Sequence, residues 1–375
     1  MRIHFFVRTL DDKTGGGSHY NSIAYIRALR KAGHTVTVHV LYKVGSNFFP
    51  DDITPIVHEA FGLSFLKEKK YLTEVLKKYD NDADVFFLYA VEFLWAGGAY
   101  RRQGGKIPVV VYMDSYLPSM SCLPFESWKN KKYHYKRLPW DKTLGLRDGR
   151  YIDRFLPCSP AIGEEYIRFG FPKDRFTVLP NIVPDKSRTG ETKENSDTVQ
   201  LLYMGRLVYL KGVDLLIDAL EGLMGLPWKL TIVGSGNMQE NIEHRIAESR
   251  LPVTMHGWVA QDTVGTFYSK ADVFVHPARW PDPAPRAIVD ALWSGLPVVV
   301  PSEGGSAWLA GNAGVVFKKR DMLSLREALR SVITNASLRK HLATQARKEA
   351  HRFEESQVYP QLENILQTVI EETHA

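Results

Sequence analysis

The chain has 375 residues, of which 44% are hydrophobic and 24% are charged. This composition is typical of a globular protein with room for two hydrophobic cores. It excludes a disordered chain, a collagen-like repeat or a coiled coil as a description of the whole. The net charge of +6 favours an anionic ligand or an anionic membrane surface as much as nucleic acid.

Signals for targeting or for disulfide bonding are few. No secretory signal is recognisable, and no run of ~18 uncharged apolar residues occurs, so we expect a cytoplasmic protein without membrane-spanning segments. The two cysteines, Cys122 and Cys158, are too few for a disulfide framework and have no metal-ligand partner nearby, which indicates two reduced thiols.

Short apolar runs alternate with helix-period segments along the whole chain. Near-continuous apolar runs are typical of parallel strands buried on both faces, and their alternation with helices predicts an α/β protein with doubly wound sheets. Strands are predicted at 3–7, 35–40, 85–89, 109–112, 199–204, 230–233, 253–255, 273–275, 298–300 and 315–317. Helices are predicted at 20–32 and 65–79, beginning near 213, 238, 262 and 285, and in a closing run from 321.

The segment at 184–197 reads P-D-K-S-R-T-G-E-T-K-E-N-S-D and has no apolar side chain after its proline. Such a segment adds nothing to a core, so it predicts a linker. We therefore expect one Rossmann-like domain at 1–183, a linker at 184–197, a second Rossmann-like domain at 198–350 and a C-terminal helix at 351–375.

A glycine-rich loop, T-G-G-G-S at 14–18, follows the first predicted strand and opens the first long helix. Glycines let backbone N–H groups approach a ligand, and a helix N-terminus favours negative charge. The loop lacks the G-x-G-x-x-G spacing of a dinucleotide site. Either Gly16 and Gly17 contact an anionic ligand, or the loop is a flexible turn.

Two cations follow the first strand of the second domain, in the loop G-R-L-V-Y-L-K-G at 205–212. Arg206 and Lys211 come after the carboxyl end of that strand, the edge where open α/β sheets bind ligands. A planar guanidinium and an ammonium point charge together match a diphosphate. The loop predicts a diphosphate-binding pair, the alternative being two solvated charges.

Two carboxylates belong to the segment D-P-A-P-R-A-I-V-D-A-L-W-S-G-L-P at 282–297. Pro285 stands where a helix would begin, and Gly295 stands where it would end. Asp282 falls in the entry loop, and Asp290 falls on the first turns of the helix among apolar neighbours. Carboxylates at this edge of a sheet are suited to accept hydrogen bonds from sugar hydroxyls.

A basic and aromatic segment lies at 128–154, where nine Lys or Arg and five Trp or Tyr accompany three Asp. This mixture suits an anionic membrane surface or a phosphorylated acceptor. The alternative is a solvated helical face with buried aromatic side chains.

Together these segments resemble the retaining glycosyltransferases of family 4, which have the GT-B fold. The family's G-R-L-x-x-x-K-G loop is matched at 205–212, its G-x-G turn at 234–236, and its A-D-V-F-V-x-P-S phrase at 271–278, which reads A-D-V-F-V-H-P-A here. The E-x7-E signature corresponds to 282–298, and V-L-P-N at 178–181 is similar to the family's strand ending in P-N-G. The resemblance covers essentially the whole chain and is strongest at 201–317.

The chain departs from the family pattern at four positions. Asp282 and Asp290 stand where the family has glutamates, which shortens each side chain by one methylene. Pro285 replaces the signature glycine and has no N–H to donate. The family's histidine after the fourth strand of the first domain aligns with Met113, beside Asp114. The phosphate-binding half of the site therefore keeps the pattern, while the donor-sugar and acceptor contacts depart from it.

The resemblance implies two Rossmann-like domains facing across a cleft, with the C-terminal helix packing back on the first domain. It implies hexosyl-type transfer, with retention, from a nucleoside diphosphate sugar to a glycan, lipid-linked or small-molecule acceptor. Arg206, Lys211 and Asp282 would be the catalytic residues, with Asp282 on the donor sugar and Asp290 on the ribose. The implied donor-binding residues are Gly16, Gly17, Gly205, Gly234, Arg286, Ala287, Ile288 and Asp290, and the acceptor residues are Asp114, Lys132 and Arg137.

No metal cofactor is expected. Asp80, Asp82 and Asp84 form D-x-D pairs like those that carry Mg²⁺ or Mn²⁺ in other glycosyltransferases, but they precede a strand and so fall at the edge of the sheet opposite the ligand edge. Arg206 and Lys211 would neutralise the leaving diphosphate instead.

Two alternatives to a transferase remain at this point. One is a nucleotide-sugar epimerase of the same fold, and the other is a catalytically idle subunit that binds nucleotide sugar or glycan. The departures at Met113 and Pro285 keep the second alternative open. Nucleic acid is not an expected partner, because no nucleic-acid-binding motif is present and the basic cluster is local. Peripheral contact with an anionic membrane is compatible with the basic segment.

Overall fold

The computed structural model describes residues 1–11, 16–41, 49–58, 65–120, 128–183, 197–260 and 263–374. The chain divides into two units. The first consists of Met1–Pro184 together with Glu354–Ala375, and the second of Asp185–Phe353. Residues 184–196 of the predicted linker lie outside the described residues.

The first unit is built around a six-stranded parallel sheet with the order β3-β2-β1-β4-β5-β6. The order reverses between β1 and β4, which is the point where doubly wound sheets bind ligands. Every residue of β4 and β5 is buried, as expected for strands covered by helices on both faces. Its elements are β1 (Arg2–Val7), α1 (Gly17–Lys31), β2 (Thr35–Val40), β3 (Ile56–Val57), α2 (Phe65–Lys78), β4 (Val85–Tyr89), α3 (Leu94–Arg102), β5 (Val109–Met113), α4 (Trp128–Trp140), α5 (Leu146–Gly149), β6 (Arg154–Pro157) and α6 (Pro160–Phe169).

The second unit repeats this plan with a six-stranded parallel sheet in the order β12-β11-β10-β7-β8-β9. One hydrophobic core runs through the unit and joins β7, β8 and β10 to α7 and α12. Its elements are β7 (Val199–Met204), α7 (Val213–Glu221), β8 (Trp228–Val233), α8 (Gln239–Ser249), β9 (Val253–His256), α9 (Val264–Lys270), β10 (Val273–Val275), α10 (Arg286–Trp293), β11 (Val298–Pro301), α11 (Ser306–Ala310), β12 (Gly314–Phe317), α12 (Met322–Thr334) and α13 (Ala336–His351).

The last helix, α14 (Glu355–His374), belongs to the first unit although it ends the chain. It packs against α1, where the Lys31 ammonium lies 2.7 Å from a carboxylate oxygen of Glu355. A hydrogen bond of 3.0 Å joins His34 Nε2 to the Tyr359 hydroxyl. The chain passes from the second unit to the first at Glu354, three residues after the predicted start of this segment at 351.

The predicted strands match the structure closely because their apolar runs are the buried cores of the two sheets. The run at 199–204 is β7 itself, while β8 begins at Trp228 rather than 230, since Trp228 and Lys229 still pair with Val199 and Gln200. Two strands were not predicted: β3, an exposed edge strand of two residues that carries no periodic signal, and β6, which is four residues long. The helix start predicted near 262 lies outside the described residues.

Candidate active site

The loop that follows β7 is held in place by close backbone contacts. Gly212 has φ +68°, and a Cβ there would lie 2.1 Å from the carbonyl oxygen of Pro277, just beyond β10. Gly234, at φ +132°, would place a Cβ 2.0 Å from the carbonyl oxygen of Gly205. Only glycine fits either position, so the loop lies directly against the ends of β8 and β10. Gly212 and Gly234 therefore set the position of this loop, and Gly205 contributes the backbone carbonyl that Gly234 approaches.

Lys211, Asp282 and His276 form one cluster at the carboxyl edge of this sheet. The Lys211 ammonium donates a short hydrogen bond to Oδ2 of Asp282, and Nε2 of His276 lies 3.6 Å from the same oxygen. The exposed fractions of the three side chains are 21% for lysine, 13% for aspartate and 6% for histidine. The cluster places a cation, a carboxylate and an imidazole where a ligand of this sheet would lie.

The charges of the cluster fix its protonation states. Burial by itself would raise the pKa of Asp282, but the Lys211 charge, His276, the lysine hydrogen bond and the charge of Arg206 together lower it below its ordinary value. Burial lowers the pKa of His276 to about 4, against the attraction of Asp282. At neutral pH the site therefore holds an ionised Asp282 beside a neutral imidazole. Arg206 itself is exposed to solvent.

The backbone around Asp282 is fixed independently of its side chain. Its N–H donates to the carbonyl of Trp280 over 2.7 Å, and its carbonyl accepts from the N–H of Gly305 over 2.8 Å. These bonds tie the entry loop of α10 to the residues that lead into α11. The carboxylate is therefore presented from a rigid turn.

Asp290 and Arg286 form an ion pair on α10, with 3.2 Å between Arg286 Nε and Asp290 Oδ1. Both side chains are about one-sixth exposed, so the pair is open to a ligand from one side. Pro285 precedes the helix, and the carbonyl of Ala287 accepts a hydrogen bond from Tyr268 over 3.1 Å. Ile288 is fully buried, and its N–H donates to the carbonyl of Pro285.

A second candidate site lies in the first unit, at the carboxyl ends of β1, β4 and β5. It is a cavity of about 210 Å³ next to the first turn of α1. The Ser18 hydroxyl donates to Oδ2 of Asp114 over 2.5 Å, and a hydrogen bond of 2.7 Å joins Thr9 to Nε2 of His19. Gly16 and Gly17 form the start of α1, so the described end of the glycine loop meets Asp114, which was predicted separately, through Ser18. Residues 14 and 15 of that loop lie outside the described residues.

The backbone that lines this cavity is strained at one residue, and two of its side chains, Glu92 and Asp114, are acidic. Ala90, which lines it, has φ +126°, a left-handed conformation that costs free energy in any residue with a Cβ. Burial, reinforced by the charge of Glu92, raises the pKa of Asp114 to about 6. Glu92 is in turn paired with Arg8 at 3.0 Å. Met113, which the sequence pattern aligns with the family's histidine, is fully buried and does not line the cavity.

The two other predicted acceptor residues lie on α4 and do not line this cavity. Arg137 is turned inward, with Nη2 3.1 Å from Oδ1 of Asp141. Lys132 is exposed and borders a separate cavity of about 460 Å³, together with Lys131, Tyr135 and Lys136. Of the three predicted acceptor residues, only Asp114 therefore lines the cavity of the first unit.

Two of the three aspartates of the D-x-D pairs, Asp80 and Asp84, are engaged in structural contacts. Asp84 accepts from the backbone N–H and the guanidinium of Arg2, and Asp80 accepts a short hydrogen bond from the Tyr100 hydroxyl. Within the described ranges, no three His, Cys, Asp or Glu are grouped to hold a metal ion. In that same part of the chain, no helix is long and apolar enough to cross a bilayer. The cytoplasmic location stays a prediction.

Three residues of these two sites, His276, His19 and Glu92, were assigned no role from the sequence. His276 belongs to the matched phrase A-D-V-F-V-H-P-A and directly follows the buried strand β10. Its place at the carboxyl end of a strand could therefore have identified it as a candidate. His19 and Glu92 had no such signal, because each reaches its cavity only through the packing of α1 and the turn after β4.

Two family models match the chain in succession. The model described as Glycosyltransferase Family 4 matches residues 15–186, and the model described as Glycosyl transferases group 1 matches residues 186–349. The chain is 27% identical, over 234 residues, to an uncharacterised glycosyltransferase of Methanocaldococcus jannaschii, an alignment that covers 56% of this chain and 60% of that protein. The chain spans 50–60% of the length of the first curated relatives it matches.

Solved structures share the fold over nearly the whole chain. Sucrose-phosphate synthase from Thermosynechococcus elongatus has a TM-score of 0.78 and 18% identity, with 99% of each chain covered. HepE of Anabaena, in complex with UDP, has a TM-score of 0.74 and 17% identity, covering 98% of this chain and 100% of that one. HepE has also been solved with UDP-glucose. The predicted α/β fold class with two Rossmann-like units is confirmed.

The matched models, the two parallel sheets and the matched loops around Lys211 and Asp282 agree with one another. The chain therefore belongs to the glycosyltransferases of the GT-B fold, with a family 4 domain followed by a group 1 domain.

Proposed function

We propose that this protein transfers a sugar from a nucleoside diphosphate sugar to an acceptor hydroxyl, with retention at the anomeric carbon. The observation that carries the proposal is the cluster of Lys211 and Asp282, near Arg206, at the carboxyl edge of the second sheet. Cations there suit a leaving diphosphate, and a carboxylate suits the hydroxyls of a sugar. The complexes of HepE with UDP and UDP-glucose support a nucleotide sugar as the donor.

The reaction requires a good leaving group more than an enzyme nucleophile. The bond from the anomeric carbon to the diphosphate oxygen breaks, and its electron pair leaves with the diphosphate. The acceptor oxygen bonds to the same face of the sugar, and its proton passes to the departing diphosphate. Arg206 and Lys211 would stabilise the charge that develops on that diphosphate. The backbone N–H groups at the start of α10, at Arg286 and Ala287, would add to this. Asp290 would accept from the ribose hydroxyls.

We propose that the transfer needs no metal ion, because Arg206 and Lys211 supply two positive charges for the leaving diphosphate. Asp80 and Asp84, which each belong to one D-x-D pair, are bound to Tyr100 and Arg2. Full activity in EDTA is the expected result. Complete loss in EDTA that Mn²⁺ restores would contradict it.

For the acceptor, the proposed site is the cavity of the first unit. Asp114, held by Ser18, would accept a hydrogen bond from the attacking hydroxyl. A glycan, a lipid-linked sugar and a small molecule all carry such a hydroxyl. The family has a histidine beside an aspartate at this point of the chain. Here the histidine position is aligned with Met113, so Asp114 would orient the hydroxyl.

The experiment that tests the function has two stages. A thermal-shift screen with UDP, GDP, dTDP and ADP sugars identifies the donor, since a ligand at a hundredfold excess over its Kd stabilises the fold by ~2.7 kcal/mol. The release of free nucleoside diphosphate is then measured with and without candidate acceptors. Transfer predicts release that depends on the acceptor. An epimerase would interconvert the donor sugar without an acceptor, and an idle binding subunit would release nothing.

We further propose that the surface of α4 contacts anionic membranes. Lys132, Tyr135, Lys136 and Trp140 follow helical spacing and are all exposed, with Tyr135 at 58% and Trp140 at 46%. The two aspartates of the neighbouring turns point inward and are fully buried: Asp141 beside Arg137, and Asp148 beside Lys69, Arg102 and Arg147. The described outward face thus combines cations with interfacial aromatic side chains, the composition of a lipid-binding helix.

Sedimentation with phosphatidylglycerol vesicles tests this contact. Each lysine near an anionic surface contributes ~1 kcal/mol, so Lys132→Ala with Lys136→Ala should weaken binding ~30-fold. The control variant Lys106→Ala with Lys229→Ala removes the same charge from two other exposed positions and should bind like the wild type. If both variants lost the same vesicle affinity, net charge alone would explain the binding and the α4 surface would have no specific role. Absence of vesicle binding by the wild type would refute the contact.

A further inference from the structure

We infer that His276 is a positioning residue. When Lys211 leaves Asp282 to bind the diphosphate, His276 forms a hydrogen bond with Asp282 in its place. The inference deepens the proposed function, since it rests on the proposed role of Lys211 as a diphosphate ligand. In the structure, Lys211 and His276 address the same carboxylate oxygen of Asp282, and only Lys211 is bonded to it.

The position of His276 is fixed by the second sheet. Its backbone N–H donates to the carbonyl of Val299 over 2.9 Å, which continues the pairing of β10 with β11. The residue is 5% exposed, and Nε2 has no hydrogen-bond partner among the described residues. A buried polar nitrogen without a partner costs free energy, so its presence calls for a functional explanation.

The distance to Asp282 supplies that explanation. Nε2 lies 3.6 Å from Oδ2, outside hydrogen-bond range, and a movement of under ~1 Å would bring it to a normal bond length. Burial keeps the pKa of His276 at about 4, so the ring is neutral at pH 7 and offers one N–H. A neutral donor satisfies the carboxylate without competing with Lys211 for the charge of the diphosphate.

An exchange of partners also solves an energetic problem in the proposed mechanism. Asp282 is 13% exposed, and a carboxylate left in that environment without its cation is destabilising. If Lys211 bound the diphosphate with no substitute partner for Asp282, part of the binding free energy would be lost. A hydrogen bond from His276 would offset that loss and would hold Asp282 in place for the donor sugar.

The test needs no ligand, because Lys211→Met removes the lysine from Asp282 permanently. The folding equilibrium constant is measured by urea titration for His276→Phe in the wild-type and in the Lys211→Met background. If His276 replaces Lys211 as the partner of Asp282, His276→Phe should lower the folding equilibrium constant about tenfold more in the Lys211→Met background than in the wild type. His276→Gln, which keeps an N–H donor, should restore part of that loss. The exposed His256→Phe serves as the control and should cost the same in both backgrounds.

A histidine that only fills the core gives a different pattern. His276→Phe would then cost the same with and without Lys211, and His276→Gln would be no better than His276→Phe. Either result would overturn the inference. The proposed function fails separately, through the absence of acceptor-dependent diphosphate release, so the two outcomes are distinguishable.

Discussion

The ammonium of Lys211 is hydrogen-bonded to the carboxylate of Asp282, 71 residues further along the chain. The residue expected to bind the diphosphate and the residue expected to bind the donor sugar are therefore partners. A ligand that draws Lys211 away from Asp282 must be anionic, since it has to replace a carboxylate. The ion pair holds the loop after β7 against the entry loop of α10.

The first prediction concerns this ion pair. Lys211→Ala should lower kcat by ~100-fold or more, in line with the loss of one preorganised electrostatic donor. It should also destabilise the second unit, because a hydrogen bond from the neutral His276 replaces the cation of Lys211 only in part. Adding Asp282→Asn should restore the melting temperature but not the turnover. A Lys211→Ala enzyme with normal kcat would exclude the diphosphate role.

The second prediction concerns Asp290. A carboxylate that accepts from two ribose hydroxyls makes charge-assisted bonds, so Asp290→Asn should weaken donor binding by about tenfold. The loss of the pair with Arg286 should also lower the stability, because the guanidinium of Arg286 is only about one-sixth exposed and is left without its carboxylate. Donor Kd and melting temperature are measured on the same protein. Unchanged affinity with a strongly lowered melting temperature would make Asp290 a purely structural residue.

The third prediction follows from the raised pKa of Asp114, about 6 in the folded protein against an ordinary 3.8. The folded state disfavours the ionised form, so stability falls as the pH rises from 3.8 through 6. Asp114→Asn should therefore raise the free energy of unfolding at pH 8, by up to ~3 kcal/mol, and leave it unchanged at pH 3.5. The same variant should lose transfer activity.

Urea titrations at the two pH values measure the stability change. Asp174→Asn, at an exposed position of the same unit, is the control and should show no such pH-dependent gain. An Asp114→Asn variant that is less stable than the wild type at pH 8 would contradict the assignment. One that keeps full transfer activity would remove Asp114 from the acceptor site.

The fourth prediction concerns three buried histidines in the first sheet. His39 lies between His4 and His58, with ring nitrogens 3.0 and 3.1 Å apart, and it stacks on Phe6. Burial, reinforced by the two histidines and by Lys78, lowers the pKa of His39 to about 3. The unfolded chain binds a proton near pH 6.5, so stability is lost as the pH falls from 6.5 towards 3.

Because of His39 alone, the free energy of unfolding should be ~2 kcal/mol lower at pH 5 than at pH 8. His39→Phe keeps the stacking on Phe6 but cannot take up a proton, so the loss on acidification should shrink by about that amount. Urea titrations at pH 8 and pH 5 measure it, with the exposed His374→Phe as the control. An unchanged loss in His39→Phe would show that other groups dominate the acid sensitivity.

The sequence by itself determined the family, most strands of the two sheets and the positions of the loops that are proposed to bind the ligand. Buried parallel strands need unbroken apolar runs, and the helices that cover them need apolar residues with a period of 3.6. Both features can therefore be recognised from short stretches of the sequence. The loops around Arg206, Lys211 and Asp282 could be found because glycine and proline mark their ends.

Only the tertiary structure decided which of these residues are partners. Nothing in the sequence separates the inward Arg137 from the outward Lys132, joins Ser18 to Asp114, or brings His276 to the oxygen that Lys211 already holds. Each contact depends on how a loop from one strand packs against a loop from another. The packing also sets the burial that lowers the pKa of His276 and raises that of Asp114, because desolvation is a property of the assembled fold.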